Sequence, residues 1–265
     1  MATLIIALDA GHGYNTSGKR CMKKLDPNET REWYLNDRIM DKVQTLLEGY
    51  DCKVVRTDDT TGAKDISLSA RVKTANNAKA DVFISMHHNA GINGGKGGGT
   101  KIFWYSNKTE RELQAQKLYD AIVAKTGLIG NRSTKVSKKG YYVIKNTTMP
   151  AFLVENGFMD SAVDVPVILT EDHANKTADA VVAFLVEVFG LKKKPEAKPV
   201  ESIYYPAYKG KKTTIQPALA SLGITSSYSY RAKIAKANNI KGYIGTAKQN
   251  TQMYNLLVAG LLKKA

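Results

Sequence analysis

Residues 81–90 read DVFISMHHNA, an apolar run of strand length that ends in two adjacent histidines and an asparagine. Successive side chains of a strand point to opposite faces, so His87 and His88 cannot easily serve one site together, and at most one is a ligand. The run itself reads as a buried strand, and its neighbourhood decides the fold. TLIIALDA (3–10), CKVVRT (52–57), ADVFISM (80–86), TKIFWYS (100–106), YYVIK (141–145) and AFLVE (151–155) all read as strands. Between them, NETREWYLNDRIMDKVQTLLEGY (28–50) places Trp33, Ile39, Met40, Val43, Leu46 and Leu47 at helical spacing, with Gly49 as a stop. SLSARVKTANNA (67–78) is a helix that Ser67 can cap, and further helices are expected over 109–126 and 172–190. Strand–helix alternation of this kind predicts an α/β fold, a mostly parallel sheet flanked by helices on both faces.

At 265 residues and 43% hydrophobic, the chain can bury a core and is not a disordered segment. No apolar run approaches the ~20 residues that a membrane-spanning helix needs. The opening MATLIIALDAGHG has neither a basic region before its apolar stretch nor a small-residue cleavage site after it. It is expected to be a first strand and not a signal peptide, so the protein is expected to be made in the cytoplasm and to act outside only after release. Cys21 and Cys52 fit no metal or redox spacing and read as two reduced structural thiols. The net charge of +15 is unevenly spread: from Leu191 onward there are 14 Lys+Arg against 2 Asp+Glu, and before it 25 against 22. That asymmetry predicts two parts with different tasks. LKKKPEAKPVES (191–202) has almost nothing to bury and reads as a semi-extended linker between a domain at 1–190 and a smaller one at 203–265.

In open α/β sheets, functional groups gather beyond the carboxyl ends of the strands. Three strands here end in polar, chemically capable residues: Asp9 to Gly13, Ser85 to Asn89, and Leu153 to Gly157. A histidine or a glutamate after a strand is ordinarily a hydrogen-bonding or solvated group. Their recurrence at one edge of one sheet points further. Two imidazoles plus a carboxylate, with a fourth position open, is the pattern of a catalytic zinc.

The strand-end sequences ALDAGHG (7–13), FISMHHNA (83–90) and PAFLVENGFMD (150–160) resemble those of the zinc-dependent N-acetylmuramoyl-L-alanine amidases of the amidase-3 type. Glu32 with Asn36 four residues on, and Arg71 followed by Ala75 and Asn76, complete the resemblance in order over roughly 3–190. Departures are Ala10 for the usual Pro, Tyr14 for a Gly, and Asn156 where Thr or Ser is also common. The resemblance implies that His12, Glu32 and His87 hold Zn2+ and that Glu155 is the catalytic acid/base. Glu29, three residues before Glu32 and on a similar helical face, is the alternative carboxylate ligand. The implied reaction is hydrolysis of the amide between N-acetylmuramic acid and L-alanine in peptidoglycan.

From Tyr204 the chain shows three short helical patterns, at Ile215/Leu219/Leu222, Ile234/Ala235/Ala237 and Met253/Leu256/Leu257. They predict a small, mainly helical C-terminal domain. It resembles the wall-binding modules appended to phage endolysins, and tyrosines 204, 205, 208, 228, 230 and 243 suit either sugar stacking or a sealed core. The implied function is a phage or prophage endolysin acting on the Gram-positive cell wall, with no membrane partner. A mother-cell or sporulation autolysin is the alternative. A nucleic-acid-binding protein would also explain the basic tail, but no nucleic-acid motif accompanies the charge, and anionic teichoic acids would attract it equally.

Overall fold

The computed structural model describes residues 3–131, 135–194 and 202–265. The chain divides into two compact units, Met1–Lys194 and Pro195–Ala265. In the first, six strands form one sheet of order β2-β1-β3-β6-β4-β5: β1 (Leu4–Ala10), β2 (Cys52–Arg56), β3 (Val82–Asn89), β4 (Thr100–Trp104), β5 (Val136–Lys138) and β6 (Ala151–Phe158). Every pairing is parallel except β4 against β6. The helices are α1 (Glu32–Leu47), α2 (Leu68–Asn77), α3 (Thr109–Thr126), α4 (Tyr142–Lys145), α5 (Val165–Ile168) and α6 (Glu171–Phe189).

Alternation along the strands builds two apolar layers. Ile6, Leu8, Ile84, Met86, Phe152 and Val154 pack with α1, α3 and α6, while Ala7, Phe83, Phe103 and Leu153 pack with α2 and α4. The same parity sends Asp9, Ser85, His87 and Glu155 to the α2 side and His88 and Asn156 to the α6 side. The α/β expectation holds, with two local corrections. YYVIK is not a strand but the single turn α4, whose Val143 and Ile144 are buried. A short apolar run does not distinguish the two by periodicity. The expected linker also begins later than Leu191, because Leu191 is buried in the core and Asp51 N–H donates to the Lys192 carbonyl (2.7 Å) and Lys194 N–H to that of Gly49 (2.9 Å). The rest of that segment, 195–201, lies outside the described residues.

The second unit holds α7 (Ile215–Ser221), α8 (Tyr228–Ala237) and α9 (Ala247–Val258) around Ile215, Leu219, Ile234, Met253, Leu257 and Leu262. Thr246 and Gln249 close a reciprocal capping box at the start of α9. Among the described residues, no helix is long and apolar enough to cross a membrane.

Candidate metal centre and active site

β1 and β3 are neighbours, and their carboxyl ends carry His12 and His87 to one point at the sheet edge. α1 begins there too and contributes Glu32 from its first turn. Glu32 Oε1 lies 3.3 Å from His12 Nε2 and 3.1 Å from His87 Nδ1, and the two rings meet edge to face with centroids 5.0 Å apart. One ligand atom from each of the three lies within 4.8 Å of the others. Glu32 is 1% exposed, whereas His12 and His87 keep 20% and 15% of their side chains open. Burial alone would raise the Glu32 carboxyl, but the hydrogen bonds and charge of both histidines hold it well below the ordinary range. Its Oε2 is buried without a hydrogen-bond partner. Oε1 thus faces both imidazoles while Oε2 makes no hydrogen bond and has only the Lys19 ammonium 3.7 Å away, and a buried carboxylate set against two imidazoles is a donor set that can hold a metal ion. Glu29 takes no part, since it pairs with Arg20 at 3.2 Å.

Glu155 stands directly across from His87 in the β3–β6 register. It is half-buried, and one of its oxygens has no hydrogen-bond partner. Burial pushes its carboxyl up to about 7, with the Glu32 charge adding to the rise against the opposing charge of His87. A carboxyl tuned to neutrality is suited to taking up and returning a proton. Glu155 and His87 line a hollow of about 310 Å³ with Lys19 and Met159, and His87 also borders a second hollow of about 390 Å³ beside Asp65 to Arg71.

The sequence pattern of the N-acetylmuramoyl-L-alanine amidases of the amidase-3 type matches residues 6–187. The chain belongs to this family. A Bacillus phage SPP1 endolysin is 32% identical over 192 residues, covering 72% of this chain and 68% of that protein. A probable cell wall amidase of Staphylococcus epidermidis is 30% identical over 186 residues, 69% of this chain and 58% of that one. The catalytic domain of the amidase CwlV from Bacillus (Paenibacillus) polymyxa superposes with a TM-score of 0.63 at 27% identity, over 71% of this chain and 99% of that domain.

The architecture behind the amidase centre is less obvious from sequence. His12 adopts a left-handed backbone (φ 69°), unusual for a residue with a side chain. Arg71 secures that turn with all its N–H groups. The guanidinium donates to the carbonyls of Ala10 (2.7 Å), His12 (2.8 Å) and Ile66 (2.7 Å), and to the carboxylates of Asp9 (2.8 Å) and Asp65 (3.2 Å). Asp9 is buried and also accepts from Ser85 Oγ (2.6 Å) and Thr57 Oγ1 (2.7 Å). Gly11 is required where it stands, since a Cβ there would overlap the His87 ring. His88 faces away from His87, and its Nδ1 pairs with Asn36 Oδ1 at 2.8 Å. Asn36 Nδ2 donates in turn to the Gly11 carbonyl (3.1 Å), tying α1 to the His12 turn. On the same side, Asn156 Nδ2 meets His173 Nε2 (2.9 Å) and Thr177 Oγ1 (3.0 Å). Arg71 and Asn36 were visible as spaced polar residues, but nothing in their spacing gave these partners. Lys19, 3.7 Å from Glu32 Oε2, carried no signal at all.

The loop after Ala90, at the rim of the Glu155 hollow, is rich in glycine and firmly held. Asp160 Oδ2 accepts from the successive N–H groups of Gly91, Ile92 and Asn93 at 2.8, 2.8 and 2.7 Å. Asp164 Oδ2 accepts from Gly99 N–H at 2.7 Å and from Phe158 N–H at 2.9 Å.

Proposed function

We propose that this amidase hydrolyses the amide joining the lactyl group of N-acetylmuramic acid to L-alanine in Gram-positive peptidoglycan, as an endolysin that reaches the wall after release from the cell that made it. The observation that carries the reading is the convergence of His12, Glu32 and His87 beside Glu155 at the strand ends of an amidase-family fold. Those three residues would hold one zinc ion, which supplies Lewis acidity to the amide carbonyl and makes water a better nucleophile. Glu155 would take the proton of the attacking water and deliver it to the departing L-alanine nitrogen. Breaking the C–N bond leaves a carboxylate on the lactyl group and a free amine on the peptide. The hollows on either side of His87 suit a substrate with a glycan arm and a peptide arm.

The second unit would tether the enzyme to the wall. Between Ser202 and Ala265 there are ten Lys+Arg and no Asp or Glu, which suits an anionic polymer of the wall. Likeness to the SPP1 endolysin supports the phage reading, and likeness to the staphylococcal amidase supports a bacterial autolysin with the same chemistry. Digestion of purified walls tests the reaction: new L-alanine amino termini are expected, with no new reducing sugar ends. A rise in reducing ends would mean a glycosidase and sink the reading.

A further inference from the structure

The C-terminal unit settles most of its tyrosines inside. Tyr205 and Tyr208 are buried in its core, Tyr205 and Tyr230 join hydroxyls at 3.1 Å, and Tyr254 packs against Tyr208. Tyr228, at the start of α8, is the exception and stays 54% exposed. Its ring is nevertheless fixed, lying 5.8 Å from the Tyr243 ring at a 30° tilt, with Gly245 close against its edge. One turn further along α8 is Ala232, and one more turn brings Lys236, so the three form a stripe. Beside that stripe the loop from Asn239 to Tyr243 closes a groove of about 340 Å³, floored by Ala232 and lined by Lys236, Asn239, Lys241 and Tyr243; Tyr228 lies outside this lining, packed on Tyr243. Ile244, 72% exposed, extends the apolar end. There is no acidic side chain between Ser202 and Ala265, so among the described residues of the unit neither lysine has a carboxylate side chain as partner.

We propose that this groove binds the carboxylate-bearing glycan strand that the amidase itself produces. The inference rests on the amidase reading for its ligand, because hydrolysis converts each muramyl amide into a free lactyl carboxylate on a sugar ring. Tyr243 in the groove with Tyr228 packed on it, two ammonium groups and an amide match a glycan strand whose pyranose rings carry anions and acetamido groups. A polyol-phosphate backbone has the anion but no ring for Tyr228, and a nucleic acid would need only the charge. The C-terminal unit would then hold the enzyme on stretches already stripped of peptide, adjacent to uncut ones.

The test uses the full chain carrying Glu155→Gln, which leaves the wall uncut, and glycan strands stripped of peptide by an unrelated amidase. Binding is compared with undigested teichoic-acid-free peptidoglycan, purified teichoic acid and duplex DNA at ~0.15 M salt, where the screening length is ~8 Å. Stripped glycan should bind about tenfold more tightly than undigested peptidoglycan. Tyr228→Ala, and Lys236→Ala with Lys241→Ala, should each lose about tenfold or more, the size expected of anchoring side chains. Lys209→Ala with Lys211→Ala, an equal loss of charge away from the groove, should change binding far less. Equal binding to cut and uncut wall, tighter binding to teichoic acid or DNA, or equal effects of the two lysine pairs would each overturn the proposal. Because the glycan comes from another enzyme, failure here is separate from failure of the amidase reading, which the wall-digestion products decide.

Discussion

The two units place their charge in opposite ways. In the first, ionisable groups are buried in matched sets: Glu32 between two histidines, Asp9 against Arg71, Glu155 beside His87. In the second, ten cations stand without a single Asp, Glu or His among residues 202–265. Buried, matched charge fixes geometry and tunes protonation, whereas unmatched charge at a surface supplies attraction. On the function proposed above, the chain separates chemistry from attachment by where it satisfies its charges.

The largest effect expected is at Glu155. Glu155→Gln should lower wall hydrolysis by ~100- to 10,000-fold, the worth of general acid–base help, with binding to glycan already stripped of peptide unchanged in a pelleting assay. Near-normal turnover would erase the division of labour between the units.

Acid should separate them next. His173 is buried, and burial together with the nearby Arg38 charge moves it from 6.5 down to about 4 despite its bond to Asn156. Between those values an unfolded chain binds the proton and the folded one does not, so stability is fully present above 6.5 and is lost as pH falls towards about 4. At ~1.4 kcal/mol per unit, this amounts to about 3 kcal/mol. Residues 202–265 carry no histidine or side-chain carboxyl to titrate there. In urea melts of the first unit, the stability lost between pH 6.5 and 4 should be about 3 kcal/mol smaller for His173→Gln than for the parent chain, a difference that isolates this group from His88 and from the raised carboxyls of Glu155 and Asp37. Equal losses in the two chains would refute the assignment to His173.

Arg71→Lys keeps the charge but loses the planar fork that holds the Ala10, His12 and Ile66 carbonyls. Zinc affinity, measured by chelator competition, should fall ~10- to 100-fold, as for other supports behind metal ligands. An unchanged affinity would mean that the His12 turn holds its shape unaided. The smallest effect is local to the second unit: Thr246→Ala removes one half of the capping box and should cost about 1 kcal/mol. Thermal melts should place that loss in the second transition and leave the first where it was.

What the sequence made legible follows from how local each signal is. Alternation along DVFISMHHNA was enough to separate His87 from His88, and the structure puts His88 on Asn36. Ser67 reads as a cap and does accept from Ala70 N–H at 3.3 Å, and the helix expected over 109–126 has those bounds. YYVIK misled because Val143 and Ile144 are buried equally well in a single turn. The three-residue β5 gave no pattern long enough to detect. Arg71 is the instructive case at the site, since its partners lie 5 to 62 residues away and spacing says nothing of them. The tyrosines of the second unit left two readings open, and the structure divides them: Tyr205 and Tyr208 inside, Tyr228 outside.

The loop after Ala90 has a consequence for how substrate is admitted. Six glycines in nine residues suggest a hinge, yet one carboxylate grips three consecutive amides at its start and another grips its end. Several of those glycines are there for proximity: a Cβ at Gly98 would collide with Asp164, and one at Gly99 with Gly130. The rim therefore acts as a mould and not a lid. A rim held in this way favours stems whose shape already fits it.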